Sequence, residues 1–89
     1  MAPAALTHEG EEPLDPAAEA RLASLTAWRL ERARTDGVPA YVVADNKTLA
    51  AIAVARPRSE GELLAIAGIG PAKLDRYGAE LLRITSPDA

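Results

Sequence analysis

Leu63-Leu64-Ala65-Ile66-Ala67-Gly68-Ile69-Gly70-Pro71-Ala72-Lys73-Leu74-Asp75-Arg76-Tyr77-Gly78 is the stretch whose reading decides the fold. It reads as a short apolar helix, a tight Gly-Ile-Gly turn and a second helix opened by Pro71. Proline suits the first helical position, where its missing N–H is not needed and its φ is already helical. Gly68 and Gly70 let the backbone take conformations with φ > 0, while Ile69 between them can be pressed into a core. A helix N-terminus also offers free N–H groups to an anion, so the turn is either a packing corner or a phosphate site. Pro71 removes one donor and apolar residues flank the turn on both sides, which favours the packing corner.

The segments before this stretch read as helices with recognisable ends. Ser59-Glu60-Gly61-Glu62 matches a capping box and starts the short helix that turns Leu63, Leu64 and Ile66 inward. Asp45 caps a helix from Asn46 to about Ala55, with Leu49, Ile52 and Ala53 inward, Lys47 in its exposed first turn and Arg56-Pro57 as its stop. Asp15-Pro16 opens a longer helix that Asp36-Gly37 ends. On it Leu22, Leu25, Trp28, Leu30 and Ala33 share one broad apolar arc, and Arg21, Glu31 and Arg34 read as a solvated face. Arg29 falls inside the arc; it is a phosphate contact or, the favoured reading, a buried stem whose guanidinium serves loop carbonyls or a carboxylate.

Val38-Pro39-Ala40-Tyr41-Val42-Val43 is too short and too interrupted by proline for a central strand. It reads as an extended or single-turn connector whose valines plug the core. The last helix runs from about Pro71 to Ile84, with Leu74, Tyr77, Leu81, Leu82 and Ile84 inward. Gly78 lies on the same arc, where glycine costs about 1 kcal/mol against alanine, so close approach of another backbone is expected there. Lys73, Arg76 and Arg83 share the opposite face, with Glu80 between them, and form the best basic strip in the chain. The fold class is therefore all-α, a small bundle of four to five short helices.

A chain of 89 residues fits one small domain. Residues 1–14 carry Ala, Pro, Gly and acids without periodicity and read as a disordered acidic linker. Residues 15–84 form the helical domain and 85–89 a C-terminal tail. His8, the single histidine, belongs to the linker and reads as solvated. With no cysteine, disulfides and Cys-based zinc sites are excluded. The sequence shows no membrane-spanning apolar run and no signal-peptide pattern, so a cytoplasmic protein is expected. The net charge is −3, but Glu9, Glu11, Glu12 and Asp88 lie in the tails, and the domain itself is near neutral. A pI of about 5.0 argues against a strongly basic nucleic-acid binder and leaves room for a weak one with a local patch. The acids are scattered over exposed helix positions rather than gathered in a cleft, so neither a metal site nor an acid–base pair is expected. No cofactor is implied.

Taken in order, Trp28-Arg29, Val38 to Val43, Thr48-Leu49 with Ile52-Ala53, Pro57, Leu63 to Ile66 with Gly68-Ile69-Gly70, and Lys73 with Tyr77-Gly78 resemble the HRDC domain, the helicase-and-RNase-D C-terminal module. The resemblance covers about Asp15 to Ile84. Asp15-Pro16 and the segment Trp28 to Ala33 look most like HRDC domains of actinobacterial UvrD-type helicases; RecQ-type helicases and RNase D are the other hosts. The resemblance implies a helical bundle without an active site, acting as a non-catalytic accessory domain of an ATP-dependent DNA helicase in DNA repair. The Gly68-Ile69-Gly70 turn also resembles a helix-hairpin-helix corner, from whose phosphate-binding form Pro71 departs.

Among the three aromatic residues Trp28, Tyr41 and Tyr77, Tyr41 alone lies on a connector. It either stacks on a base or packs on the helices with its hydroxyl in water. The resemblance makes Tyr41 the connector aromatic that contacts single strands, beside a basic surface from Lys47, Lys73 and Arg76, with Arg34 adding to it. Two functions follow. The first is weak, sequence-independent engagement of single-stranded or branched DNA by a monomer with no membrane contact, nucleoid-associated in the cytoplasm. The second is a docking module that meets the parent helicase core, an RNase D-like nuclease or repair proteins, and binds no nucleic acid itself.

Overall fold

The computed structural model describes residues 14–86. Residues 1–13, which include His8 and most of the acidic linker, and residues 87–89 lie outside the described part. Five helices follow in order: α1 Pro16–Asp36, α2 Ala40–Val43, α3 Asn46–Ala55, α4 Glu60–Leu64 and α5 Pro71–Thr85. No strand occurs among the described residues, and the fold is all-α as the sequence indicates.

Local chemistry sets the helix ends. The Asp15 carboxylate accepts from Ala18 N–H at 2.7 Å, and Asp45 accepts from Thr48 N–H at 2.8 Å, each satisfying a donor that the first turn leaves unpaired. Gly37 takes φ 69° after α1, and Val38 N–H reaches back to the Ala33 carbonyl at 3.0 Å, a Schellman closure. α3 stops at Arg56, a non-glycine residue with φ 51°. At α4 only half of the capping box forms. Ser59 Oγ accepts from Glu62 N–H at 3.1 Å, but the Glu62 carboxylate accepts from Arg58 N–H at 2.9 Å rather than from Ser59.

Side-chain bonds fix the arrangement of the helices. Arg21 Nε donates to the Ala53 carbonyl at 2.8 Å and Arg29 Nη1 to the Ala44 carbonyl at 2.9 Å, so α1 runs antiparallel to α3. Tyr77 donates to Asp36 and Trp28 to Glu80, so α1 also runs antiparallel to α5. One end of the bundle therefore gathers the C-terminus of α1, the single turn α2 and the N-termini of α3 and α5. The C-termini of α3 and α5 meet at the other end, where the Thr85 hydroxyl donates to the Pro57 carbonyl at 3.0 Å.

The core is aliphatic. Leu25, Leu49, Ile52, Leu63, Leu81 and Val43 are fully enclosed, each contributing about 1.5–3 kcal/mol by leaving water. Ile69 is buried as expected, and Leu22, Trp28, Leu74, Leu82 and Ile84 pack around the centre. Several expectations need correction. Leu30 is 49 % exposed, because it stands about 140° around α1 from the enclosed Leu25, away from the buried side of the helix. Val42 and Leu64 are likewise exposed, and of the connector valines only Val43 is fully buried. Arg21 is not solvated but bound to Ala53. Arg29 does serve a loop carbonyl. Of the two glycines in the turn before α5, Gly68 uses the left-handed region at φ 99°, and Gly70 is the extended N-cap of α5 at φ −102°. A Cβ on Gly68 would collide with the Thr48 side chain. Gly78 is crowded by side chains rather than backbone, with Leu74 Cδ1 2.9 Å and Leu63 Cδ2 3.9 Å from where a Cβ would stand. α5 continues to Thr85, which is buried and held by its bond to Pro57.

Candidate nucleic-acid interface

The basic strip read on α5 is not a separate outer face. Glu80 and Arg76 belong to the seam with α1. Trp28 Nε1–H donates to Glu80 Oε1 at 2.5 Å. Arg32 lies 3.3 Å from Asp36 and 3.5 Å from Glu80. The Tyr77 hydroxyl donates to Asp36 at 2.9 Å, and its ring meets Trp28 edge-on at 5.5 Å between centroids. Arg32 and Arg76 each stand 5.6 Å from the Tyr77 ring centre, a distance at which a cation is attracted by the ring face. Arg76 also approaches Asp36 at 3.9 Å. Burial, and then the neighbouring Asp36 carboxylate, push the Tyr77 hydroxyl above its ordinary value of 10.0. Sequence reasoning missed Arg32, Asp36 and Glu80 as one set, since they meet only through the pairing of α1 with α5.

The end of the bundle next to this seam differs. Tyr41, on α2, is 71 % exposed and bonds to none of the described residues. Asp45 follows four residues later and caps α3. The Thr48 hydroxyl and then the Thr48 N–H hold its carboxyl below its usual value of 3.8, with Lys73 and Lys47 lowering it further. Both lysines thus stand within electrostatic reach of one carboxylate, one from α3 and one from the first turn of α5. The close fit of Gly68 against Thr48 brings the start of α5 to this place. Neither lysine makes a hydrogen bond or ion pair with a described residue. α5 also begins without a side-chain cap.

The five predicted contact residues are therefore not equivalent. Tyr41, Lys47 and Lys73 share one end of the bundle, and their side chains make no hydrogen bond or ion pair with a described residue. Arg76 borders them but is drawn to Asp36 and Tyr77. Arg34 lies on the outer side of α1, half a helical turn from Leu25, in an exposed pair with Glu31 at 3.5 Å. Arg56, Arg58 and Arg83 lack side-chain partners among the described residues as well, but they stand at the opposite end. There they meet the negative ends of two helix dipoles, and Arg56 and Arg58 are close in sequence to Glu60 and Glu62.

No group of three or more His, Cys, Asp or Glu side chains suited to a metal occurs among the described residues. An open trough between α1, α3 and the turn before α5 is walled mainly by Leu22, Ala50, Ala51, Val54 and Ile66. Lys47 also lines it, and its Asp15 and Arg21 are engaged with Ala18 and Ala53. No helix among the described residues is long and apolar enough to cross a membrane.

The described residues form a five-helix bundle with an exposed aromatic side chain on α2. The HRDC family model matches residues 18–85, and the chain belongs to the HRDC domain family. It is 46 % identical over 66 residues to the ATP-dependent DNA helicase UvrD2 of Mycobacterium tuberculosis and to that of Mycobacterium bovis, covering 74 % of this chain and 9 % of each helicase. It is 34 % identical over 62 residues to the ATP-dependent DNA helicase RecQ of Pasteurella multocida, covering 70 % of this chain and 10 % of that protein. Among solved structures, HRDC domain 3 of RecQ from D. radiodurans superposes with a TM-score of 0.74 at 31 % identity, covering 76 % of this chain and 90 % of the other. The chain thus spans about a tenth of the length of these helicases.

Proposed function

We propose that this domain is the non-catalytic accessory module of an ATP-dependent DNA helicase and engages single-stranded or branched DNA weakly and without sequence preference. The supporting observation is the exposed Tyr41 ring at the same end as the unengaged Lys47 and Lys73. A base stacks on the ring, and the lysines meet flanking phosphates. Every base has a π face, so such contact is tolerant of sequence. Arg76 and Arg34, both already near carboxylates, add longer-range attraction. Two lysines and one ring support weak binding only, in keeping with the near-neutral charge of the domain. The helicase core and repair proteins are the protein partners of this role, which places the module with the nucleoid in the cytoplasm, as a monomer.

The test is a titration of a fluorescein-labelled single-stranded oligonucleotide at low salt, read by anisotropy, for wild type, Tyr41→Ala and Lys73→Glu. Stacking is worth about 1–3 kcal/mol per base, so Tyr41→Ala should weaken binding at least five-fold, and Lys73→Glu should weaken it further. Coinciding curves would remove this reading. An absence of binding by wild type, together with altered activity of the parent helicase after deletion of the module, would point to docking instead.

A further inference from the structure

We infer that Asp45 is an electrostatic brake on the phosphate-binding surface, a residue that caps α3 and also keeps the affinity of Lys47 and Lys73 for a nucleic-acid backbone low. This rests on the DNA-binding reading above and adds a regulating residue to it. The geometry has three parts. The Asp45 carboxylate is fixed, because it accepts from Thr48 N–H at 2.8 Å. Lys47 follows two residues later in the first turn of α3, and Lys73 occupies the first turn of α5. That turn is brought to α3 by the seating of Gly68 on Thr48.

The two lysines bond to no described residue, and the Asp45 carboxylate interacts electrostatically with both. Thr48 holds the Asp45 carboxyl below its ordinary pKa and the charges of Lys73 and Lys47 lower it further, so its field reaches both amines. A phosphate bridging them would lie against the same carboxylate. The cap and the charge are separable, because asparagine caps a helix about as well as aspartate. Asp36 stands in the same relation to Arg76, at 3.9 Å.

The experiment compares Asp45→Asn with wild type in the oligonucleotide titration at low and high salt. A unit charge about 7 Å from a phosphate in a water-like dielectric alters affinity by about three-fold, so Asp45→Asn should tighten binding by about that factor at low salt. The gain should shrink as screening increases. Glu19→Gln makes the same change of net charge in the first turn of α1, at the opposite end, and should leave binding unchanged. The thermal midpoint of Asp45→Asn should match wild type; Asp45→Ser, another capping residue, serves as the second variant. If wild type binds and neither Asp45 variant binds more tightly, or if Glu19→Gln tightens binding equally, the brake is refuted while the DNA-binding reading stands. If neither wild type nor the Asp45 variants bind, both ideas fall.

Discussion

The indole N–H of Trp28 and the carboxylate of Glu80 are joined at 2.5 Å across 52 positions of sequence, and this bond ties the middle of α1 to the middle of α5. Glu80 also faces Arg32 at 3.5 Å. Glu80→Ala would leave a partly buried indole donor without its acceptor and give Arg32 one carboxylate instead of two. Leaving such a donor unmade costs about 1–3 kcal/mol. Because the Glu80 carboxylate is partly open to solvent, a loss of about 1–2 kcal/mol is expected, with Glu80→Gln costing less because it keeps an acceptor. Urea denaturation followed by the fluorescence of Trp28, the single tryptophan, measures both.

This bond also shows where sequence reading ends. Helix starts and stops were legible because their causes are local: Asp15, Asp45 and Ser59 bond to N–H groups three residues on, and Gly37 closes α1 in a left-handed turn. Tyr41 stood apart from any helical arc, and the residue is 71 % exposed. Leu30 was misplaced because it stands about 140° around α1 from Leu25, outside the arc that the core covers. Gly68 and Gly70 look alike in the sequence, yet only Gly68 is pressed against Thr48, while Gly70 serves as an extended cap. The seam of Trp28, Arg32, Asp36, Tyr77 and Glu80 and the shared position of Lys47 and Lys73 both depend on how the helices are laid together. No local pattern encodes that.

Gly68 is the residue of the turn before α5 that tolerates least. At φ 99° an L side chain carries a backbone penalty of about 1–2 kcal/mol, and the added Cβ would strike the Thr48 hydroxyl. Gly68→Ala is expected to cost about 2–4 kcal/mol. Adding Thr48→Ala should recover about 1 kcal/mol of that by opening space, a coupling that a double-mutant cycle reads directly. Gly70→Ser should behave in the opposite way. Gly70 has nothing within 4 Å of its Cβ position and φ −102°, and a serine there supplies the side-chain cap that α5 lacks. A gain of a few tenths of a kcal/mol, at about the level of other glycine-to-serine caps, is expected in chemical denaturation.

Tyr77 gives the domain a defined response to base. Its hydroxyl has a higher pKa in the folded chain than its ordinary 10.0, through burial and then the Asp36 carboxylate. Once pH rises past that ordinary value, the unfolded chain releases the proton while the folded chain still holds it, so stability falls through the window from 10.0 up to the raised value. Below 10.0 the contribution is complete and independent of pH. Tyr77→Phe should show a shallower alkaline loss than wild type in melts between pH 9 and about 11.5. It should also lose some stability at neutral pH through the missing bond to Asp36, by about 1 kcal/mol. Equal alkaline slopes in the two proteins would contradict this account.

The salt dependence of DNA binding separates the roles given to Tyr41 and the lysines. A lysine that meets a phosphate releases a counterion, and on a single strand each such contact contributes about 0.7 to the slope of log affinity against log salt. Lys47→Ala and Lys73→Ala should each reduce the slope by up to about that amount, and the double variant by their sum, because the two amines stand on different helices and bond to nothing described. Tyr41→Ala should lower affinity at every salt concentration and leave the slope where it was, since stacking displaces no ions. Arg83→Ala, at the far end of α5, should alter neither quantity. A slope reduced as much by Arg83→Ala as by Lys73→Ala would place the strand on the whole basic surface rather than at the end shared by α2, α3 and α5.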